Sequence, residues 1–194
     1  MMRPLTRQIR RFKDSEDGLV MTEFLIVLPL LIWTFMAMFI YWDTFRTLNH
    51  AQKGSYAIAD TLSRQREVNT TYINGMQTLL TYLVQNSTNV EMRITSLKYD
   101  ENSERYAVLF SRSPGNRMAQ LTNTTVNNSA FKAKIPIMAD QDSVVVVETS
   151  VRYQPAFDVG IPLTNFRNFI VTRPRLEQRQ VCFTGVSCPS IVRL

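Results

Sequence analysis

A single carboxylate stands at the start of the most apolar stretch of this chain. Glu23 is followed by Phe24 and then by an uncharged run that continues to Trp42. Because lipid penalises a charged side chain, an ionisable group inside a membrane segment is by default a functional-site hypothesis. The alternative is that Glu23, one turn from the end of the run, reaches the nearby membrane interface. Residue types alone leave both interpretations open.

The two cysteines are the next residues that could do chemistry. Cys182 and Cys188 enclose a short Gly-containing segment, and they predict a disulfide if this end of the chain lies outside the cytosol. A metal site is the alternative, but the only histidine, His50, is far away in sequence. Asp140 and Asp142 are interpreted as turn residues. With no phosphate loop or paired-His motif either, we predict no metal, no cofactor and no enzymatic activity.

The composition indicates one ordinary folded domain plus a short additional element. The chain has 194 residues, of which 45% are hydrophobic, and its net charge is +6. Five of the 22 Lys and Arg residues lie in the short segment before the apolar run, and the remaining sequence has no basic run that resembles a nucleic-acid patch. We therefore expect the lipid bilayer, and no nucleic acid, among the partners.

The apolar run is the element that must position Glu23. As a helix, residues 24–42 would cover roughly 28 Å, close to the hydrocarbon thickness of a bilayer. No small-residue signal-peptidase site follows, so we expect the run to remain as an anchor. The excess of Lys and Arg before it predicts a cytoplasmic N-terminus and an exported C-terminal part. Pro29 should kink or loosen this helix, although membrane helices often tolerate proline.

The surroundings of Glu23 resemble the processing signal of type IV prepilins. A basic leader is followed by Gly18, four residues, Glu23, Phe24 and an apolar helix. The resemblance implies that a prepilin peptidase cuts between Gly18 and Leu19 on the cytoplasmic face. The new ammonium group of Leu19 could then pair with Glu23 of its own or a neighbouring subunit. In a filament core of low dielectric, this pair would relieve two costly charges.

Three segments are similar to the TadE- and TadF-like pseudopilins of tight-adherence (Tad) pilus systems. They are the N-terminal piece with its "LPLL", residues 142–157, and the late Arg-Pro-Arg segment in 171–182. The resemblance implies a minor pilin of the bacterial inner membrane that works with other Tad pilins and an assembly platform in surface attachment. It also offers a second account of Pro29, because a pilin helix must stretch on leaving lipid.

Two readings from other classes stay open beside the pilin. In one, the chain is an uncleaved, membrane-anchored binding domain, and the spacing between Gly18 and Glu23 is accidental. In the other it is an anchored enzyme, which the lack of a catalytic constellation disfavours. The mature N-terminus separates the first of these from a processed pilin.

The predicted fold class is α+β and pilin-like, with a long N-terminal helix, a second helix and a mostly antiparallel sheet. The expected divisions are a cytoplasmic leader over 1–18, a transmembrane helix over 19–42, an amphipathic extension over 43–66 and an exported domain over 67–194. The sheet is expected to pack on the amphipathic extension.

Periodicity places the elements of the exported domain. Residues 68–86 predict a helix that Asn69 or Thr70 can cap. Alternation of apolar and polar residues, or a β-branched run, predicts strands over 90–99, 105–112 and 143–153. Four consecutive valines in the last of these indicate burial on both faces. The Asn- and Thr-rich residues 121–129 are predicted to form a loop.

Overall fold

The computed structural model of this chain describes Lys13 and residues 18–84, 89–175 and 180–186. A long apolar helix is followed by further helices and by an antiparallel sheet of four strands. The predicted α+β fold class is therefore confirmed. Most of the predicted leader, and Cys188, lie outside the described residues.

Helix α1 (Leu19–Ser63) is 45 residues long and continuous through Pro29, which corresponds to about 68 Å of helix. Most of its first half, residues 20–35, is exposed on every side and largely apolar, whereas its second half buries one face that includes Ala51, Ile58 and Leu62. The helix ends three residues before the predicted boundary at 66, in a turn closed by backbone hydrogen bonds to Thr61 and Leu62.

A short strand, β1 (Glu67–Val68), leads into helix α2 (Thr70–Val84). Asn69 caps α2, because its Oδ1 accepts a hydrogen bond from the Tyr72 amide at 2.7 Å. The helix packs on the second half of α1 beside Gly54, where an added Cβ would lie 3.0 Å from the Leu80 side chain. Glycine therefore costs α1 some helix propensity but allows α2 to approach closely.

The sheet has the strand order β3-β2-β4-β5, and all neighbouring strands are antiparallel. Its strands are β2 (Asn89–Asp100), β3 (Arg105–Arg112), β4 (Ser143–Tyr153) and β5 (Thr164–Thr172). The valines of β4 are fully buried, since α1 and α2 cover one face while Val126, Ile135 and Met138 cover the other. Burial on both faces is thus confirmed.

Two features of the four-stranded sheet and its covering segments differ from the sequence prediction. The loop predicted over 121–129 is wrong in part, because this region contains the short helices α3 (Asn123–Val126) and α4 (Ser129–Lys132). Thr122 caps α3 in a capping box with Thr125. The second difference is β5, which the sequence prediction omits and which forms an edge of the sheet.

The late part of the chain returns to the end of α1. Strand β6 (Cys182–Phe183) pairs in parallel with β1. The Arg175 amide donates to the Ser63 carbonyl at 2.7 Å, and the Arg175 guanidinium lies 3.0 Å from the Asp60 carboxylate. The point where α1 ends is therefore held by the late part of the sequence.

Candidate functional site

The predicted cleavage position coincides with the start of α1. Gly18 is the N-cap residue, with φ of −83°, and a Cβ added to it would meet no atom within 4 Å. Any residue can adopt this backbone conformation. Neither conformation nor packing in the described structure therefore requires glycine here. Leu19 is the first residue of the helix.

Glu23 and Phe24 follow in the first two turns of α1, and both are exposed. Glu23 lies four residues after Leu19, the spacing at which two helical residues share a face. A backbone ammonium group at Leu19 would stand about 6 Å from Glu23 along the helix axis. The geometry is thus compatible with the predicted pair, which stays a prediction.

The surface around these residues is apolar and is consistent with a membrane-spanning helix. Within the described chain, the start of α1 is long and apolar enough to cross a bilayer. Large side chains such as Trp33 and Phe35 are more than half exposed. Pro29 has no amide hydrogen to donate to the Leu25 carbonyl, four residues earlier. The helix is nevertheless uninterrupted, and the predicted kink stays a prediction.

Immediately beyond the apolar run, α1 is fixed to the sheet by a polar contact. The phenol of Tyr153 donates a hydrogen bond to Oδ2 of Asp43, at 3.0 Å. Tyr153 is the last residue of β4, is 1% exposed, and lies 5.8 Å from the Phe166 ring, centroid to centroid. Burial raises the pKa of Tyr153, and the Asp43 carboxylate raises it further, while a hydrogen bond with Thr44 lowers it.

A second polar contact joins α1 to the sheet farther along the helix. Ser55 and Thr149 are buried, and their hydroxyl oxygens are 2.8 Å apart. The Ser55 hydroxyl donates a hydrogen bond to the Ala51 carbonyl at 2.7 Å, and the side-chain amide of Asn168 donates to the Thr149 hydroxyl at 3.3 Å. Since buried polar groups are costly when unpaired, this cluster disfavours other registers of α1 on the sheet.

Sequence reasoning did not find the contact between Asp43 and Tyr153. The two residues are 110 positions apart, and no local pattern connects them. Each nevertheless has a distinctive position. Asp43 is the first charged residue after the apolar run, and Tyr153 ends the most apolar strand.

The other predicted site residues are placed as follows. Cys182 is disulfide-bonded, and the only other cysteine of the sequence, Cys188, lies outside the described residues. Asp140 lies in a turn, where its carboxylate accepts a hydrogen bond from the Glu101 amide at 3.0 Å. That bond is the main cause that lowers the pKa of Asp140. In the described ranges, no group of three or more His, Cys, Asp or Glu could hold a metal ion.

No family model, curated protein or solved structure matches this chain. The residues that the structure describes form an α+β fold with one N-terminal helix that is long and apolar enough to span a membrane.

Proposed function

We propose that this chain is a minor pilin, or pseudopilin, of a Tad-type type IV pilus. A prepilin peptidase would cut it between Gly18 and Leu19, and the first half of α1 would anchor it in the bacterial inner membrane. Other Tad pilins and the inner-membrane assembly platform would be its partners. The proposal combines the sequence resemblance with the position of the motif in the fold.

One observation carries the proposal, namely that Gly18 stands at the boundary of α1 where the fold does not need a glycine. The position is exposed and open, so its lack of a side chain serves no described contact. A protease that must lay the backbone against catalytic groups does need such a residue. The glycine therefore fits recognition by another protein better than it fits folding.

The division of α1 into two halves supports a role in assembly. Most of the first half, residues 20–35, is exposed and largely apolar, and the second half is held by the sheet and α2. A bare apolar helix can exchange lipid for the helices of neighbouring subunits without exposing new surface to water. Glu23 is the charged group in that half, and its pairing with a Leu19 ammonium would stabilise one axial stagger between subunits more than others.

The proposed topology places the sheet on the exported side of the membrane. The basic residues before the apolar run favour a cytoplasmic N-terminus. The disulfide at Cys182 agrees with that side, because disulfides persist in oxidising compartments such as the bacterial periplasm.

The test is the intact mass and N-terminal sequence of the protein from its native host, with and without the prepilin peptidase. We expect a chain that begins at Leu19 only when the peptidase is present. A chain that begins at Met1 or Met2 in both strains would overturn the proposal. The uncleaved, membrane-anchored binding domain would then be the better description.

A further inference from the structure

The connection between β4 and β5 lies against the membrane helix. In this segment, residues 154–163, Val159 and Ile161 pack on Ala37 and Ile40 of α1. Ile40 is fully buried by this contact, although it belongs to the apolar run. The folded domain therefore covers part of the uncharged run, on the N-terminal side of the point where that run ends.

The depth of this contact follows from helix geometry. Asp43 is the first charged residue after the run. At 1.5 Å per residue, Ile40 lies about 4–5 Å and Ala37 about 9 Å deeper than Asp43 along the helix axis. Roughly 5–8 Å separate the hydrocarbon from bulk water on each side of a bilayer. With Asp43 at the water side of this layer, the contacts of the 154–163 segment with α1 cross the polar layer and reach its inner boundary near Ala37.

The segment also exposes two large apolar side chains. Phe157 is 51% exposed and Leu163 is 56% exposed. The only charged residue of the segment is Asp158, whose carboxylate accepts a hydrogen bond from the Gly160 amide at 3.2 Å. Phe157 and Leu163 each lie two residues from a side chain that contacts α1, Val159 or Ile161, so these exposed apolar side chains lie close to the apolar part of the helix.

We propose that residues 154–163 form a second membrane contact, in which Phe157 and Leu163 enter the headgroup layer of the leaflet beside the domain. The inference rests only on the membrane anchor within the proposed function, and not on cleavage or pilus assembly. Arg152, exposed next to Tyr153, and Arg46, exposed on α1, stand at the same end of the domain. Both cations are placed to meet lipid phosphates.

The backbone of the segment limits how deep it goes. Residues 154–163 contain no helix or strand, and irregular backbone does not occur in the lipid-exposed hydrocarbon region because its polar groups need partners. The hydrocarbon must therefore end near Ala37 and not at Trp42. A span of the same length then begins near Leu19, which moves Glu23 fully inside the bilayer before assembly.

The experiment uses the full chain in phosphatidylcholine vesicles that carry lipids brominated at shallow or deep acyl positions. A single tryptophan reports its own depth through bromine quenching. The reporter is Phe157→Trp in a Trp33→Phe, Trp42→Phe background, and Leu163→Trp is a second reporter. We expect stronger quenching by shallow than by deep bromines, together with weak quenching by aqueous acrylamide.

Ile137→Trp in the same background is the matched control. Ile137 is 95% exposed, and its carbonyl accepts a hydrogen bond from Arg173, which also pairs with Asp142 beside the far end of β4. Eleven residues of β4 place that end about 35 Å from Tyr153. This reporter should show acrylamide quenching and no bromine quenching.

The native Trp33, kept alone through Trp42→Phe, reports on the anchor. If Trp33 is quenched by bromines but both loop reporters behave like the Ile137 control, the second contact is overturned and the anchor stands. If Trp33 is not quenched either, both are overturned. If the loop reporters are shielded from acrylamide only at high protein density and without bromine quenching, another protein copy covers the segment, which also overturns the lipid contact.

Discussion

The Tyr153 phenol and the Asp43 carboxylate, 3.0 Å apart, join the end of the central strand to the end of the apolar run. Ser55 and Thr149 form a second contact 12 residues farther along α1, at a spacing of about 18 Å. Two polar contacts separated in this way fix both the position and the rotation of α1 on the sheet. The stability of the domain should therefore report on each contact.

Tyr153→Phe should lower the free energy of unfolding by about 1–2 kcal/mol, because a hydrogen bond to a charged group is lost while the ring remains. Urea unfolding of the full chain in detergent micelles measures the change. Tyr82→Phe is the control, since Tyr82 is 74% exposed and should change stability by less than about 0.5 kcal/mol. Equal effects of both variants would contradict the assigned role of the contact.

Stability should also fall on the alkaline side, because burial raises the pKa of Tyr153 in the folded protein. The unfolded phenol ionises near pH 10, at about its ordinary value. Above that pH the unfolded state binds fewer protons than the folded state. This contribution is therefore complete below about pH 10 and is lost as the pH rises through the folded value.

Unfolding of the wild type and of Tyr153→Phe between about pH 8 and pH 12 tests this dependence, and the variant should show a shallower decline. The decline should not vanish, because burial also raises the pKa of Tyr72 and Tyr106. Parallel curves for the two proteins would mean that Tyr153 does not contribute to the alkaline loss.

Gly18→Val should block processing without disturbing the fold, because an added side chain at Gly18 meets nothing within 4 Å. Gly75→Val is matched to it, since Gly75 is also exposed and equally open. We expect the Gly75 variant to begin at Leu19 and the Gly18 variant to keep its leader, as read by intact mass from the native host. Normal processing of both variants would show that the peptidase does not require Gly18.

Glu23→Ala should leave membrane insertion intact and impair assembly. If the pair with a Leu19 ammonium contributes about 1.4 kcal/mol, incorporation into pili should fall by on the order of tenfold. The ratio of pilus-bound to membrane-bound protein measures the effect, and Glu67→Ala, an exposed carboxylate of the domain, is the control. Normal incorporation of Glu23→Ala would refute the assembly role.

Asn127→Ala should expose an edge of the sheet. Its side chain accepts a hydrogen bond from the Tyr106 amide at 2.9 Å and donates to the Tyr106 carbonyl at 2.8 Å, as a neighbouring strand would. Loss of these bonds should cost about 2–3 kcal/mol and promote aggregation through the uncovered edge.

Asn74→Ala, on the exposed side of α2, should by comparison be neutral or slightly stabilising, because alanine favours helix. Urea unfolding and light scattering compare the two proteins. If the two asparagine variants unfold and scatter alike, Asn127 does not protect the edge.

Regular patterns in the sequence predicted most of the fold. The hairpin of β2 and β3 and the valine-rich β4 have strong alternation or strong β propensity, and their bounds differ from prediction by a residue or less. Strand β5 was missed because "TNFRNFIVT" mixes Asn and Arg with its apolar residues and alternates poorly. Its pairing with β4 is a long-range effect that no local window contains.

The polar region 121–129 was misinterpreted for a related reason. Asn and Thr are typical of loops because their side chains bond to nearby backbone. Here the Asn123 side chain accepts a hydrogen bond from the Val108 amide at 2.8 Å, across the edge of β3. The sequence predicts that these side chains form hydrogen bonds with backbone groups, but it does not predict which distant backbone groups they contact. The same limit hid the contact between Asp43 and Tyr153, whereas Gly18 and Glu23 could be predicted as a motif because their spacing is local.

The parallel pairing of β1 with β6 has a consequence for the order of events during synthesis. Glu67–Val68 directly follows the long helix, but its partner Cys182–Phe183 emerges more than a hundred residues later. Strand β1, at the end of α1, therefore has no partner strand until almost the entire chain described here has left the ribosome. Any machine that moves this polypeptide during synthesis would therefore act on a chain whose two-stranded sheet has not yet formed.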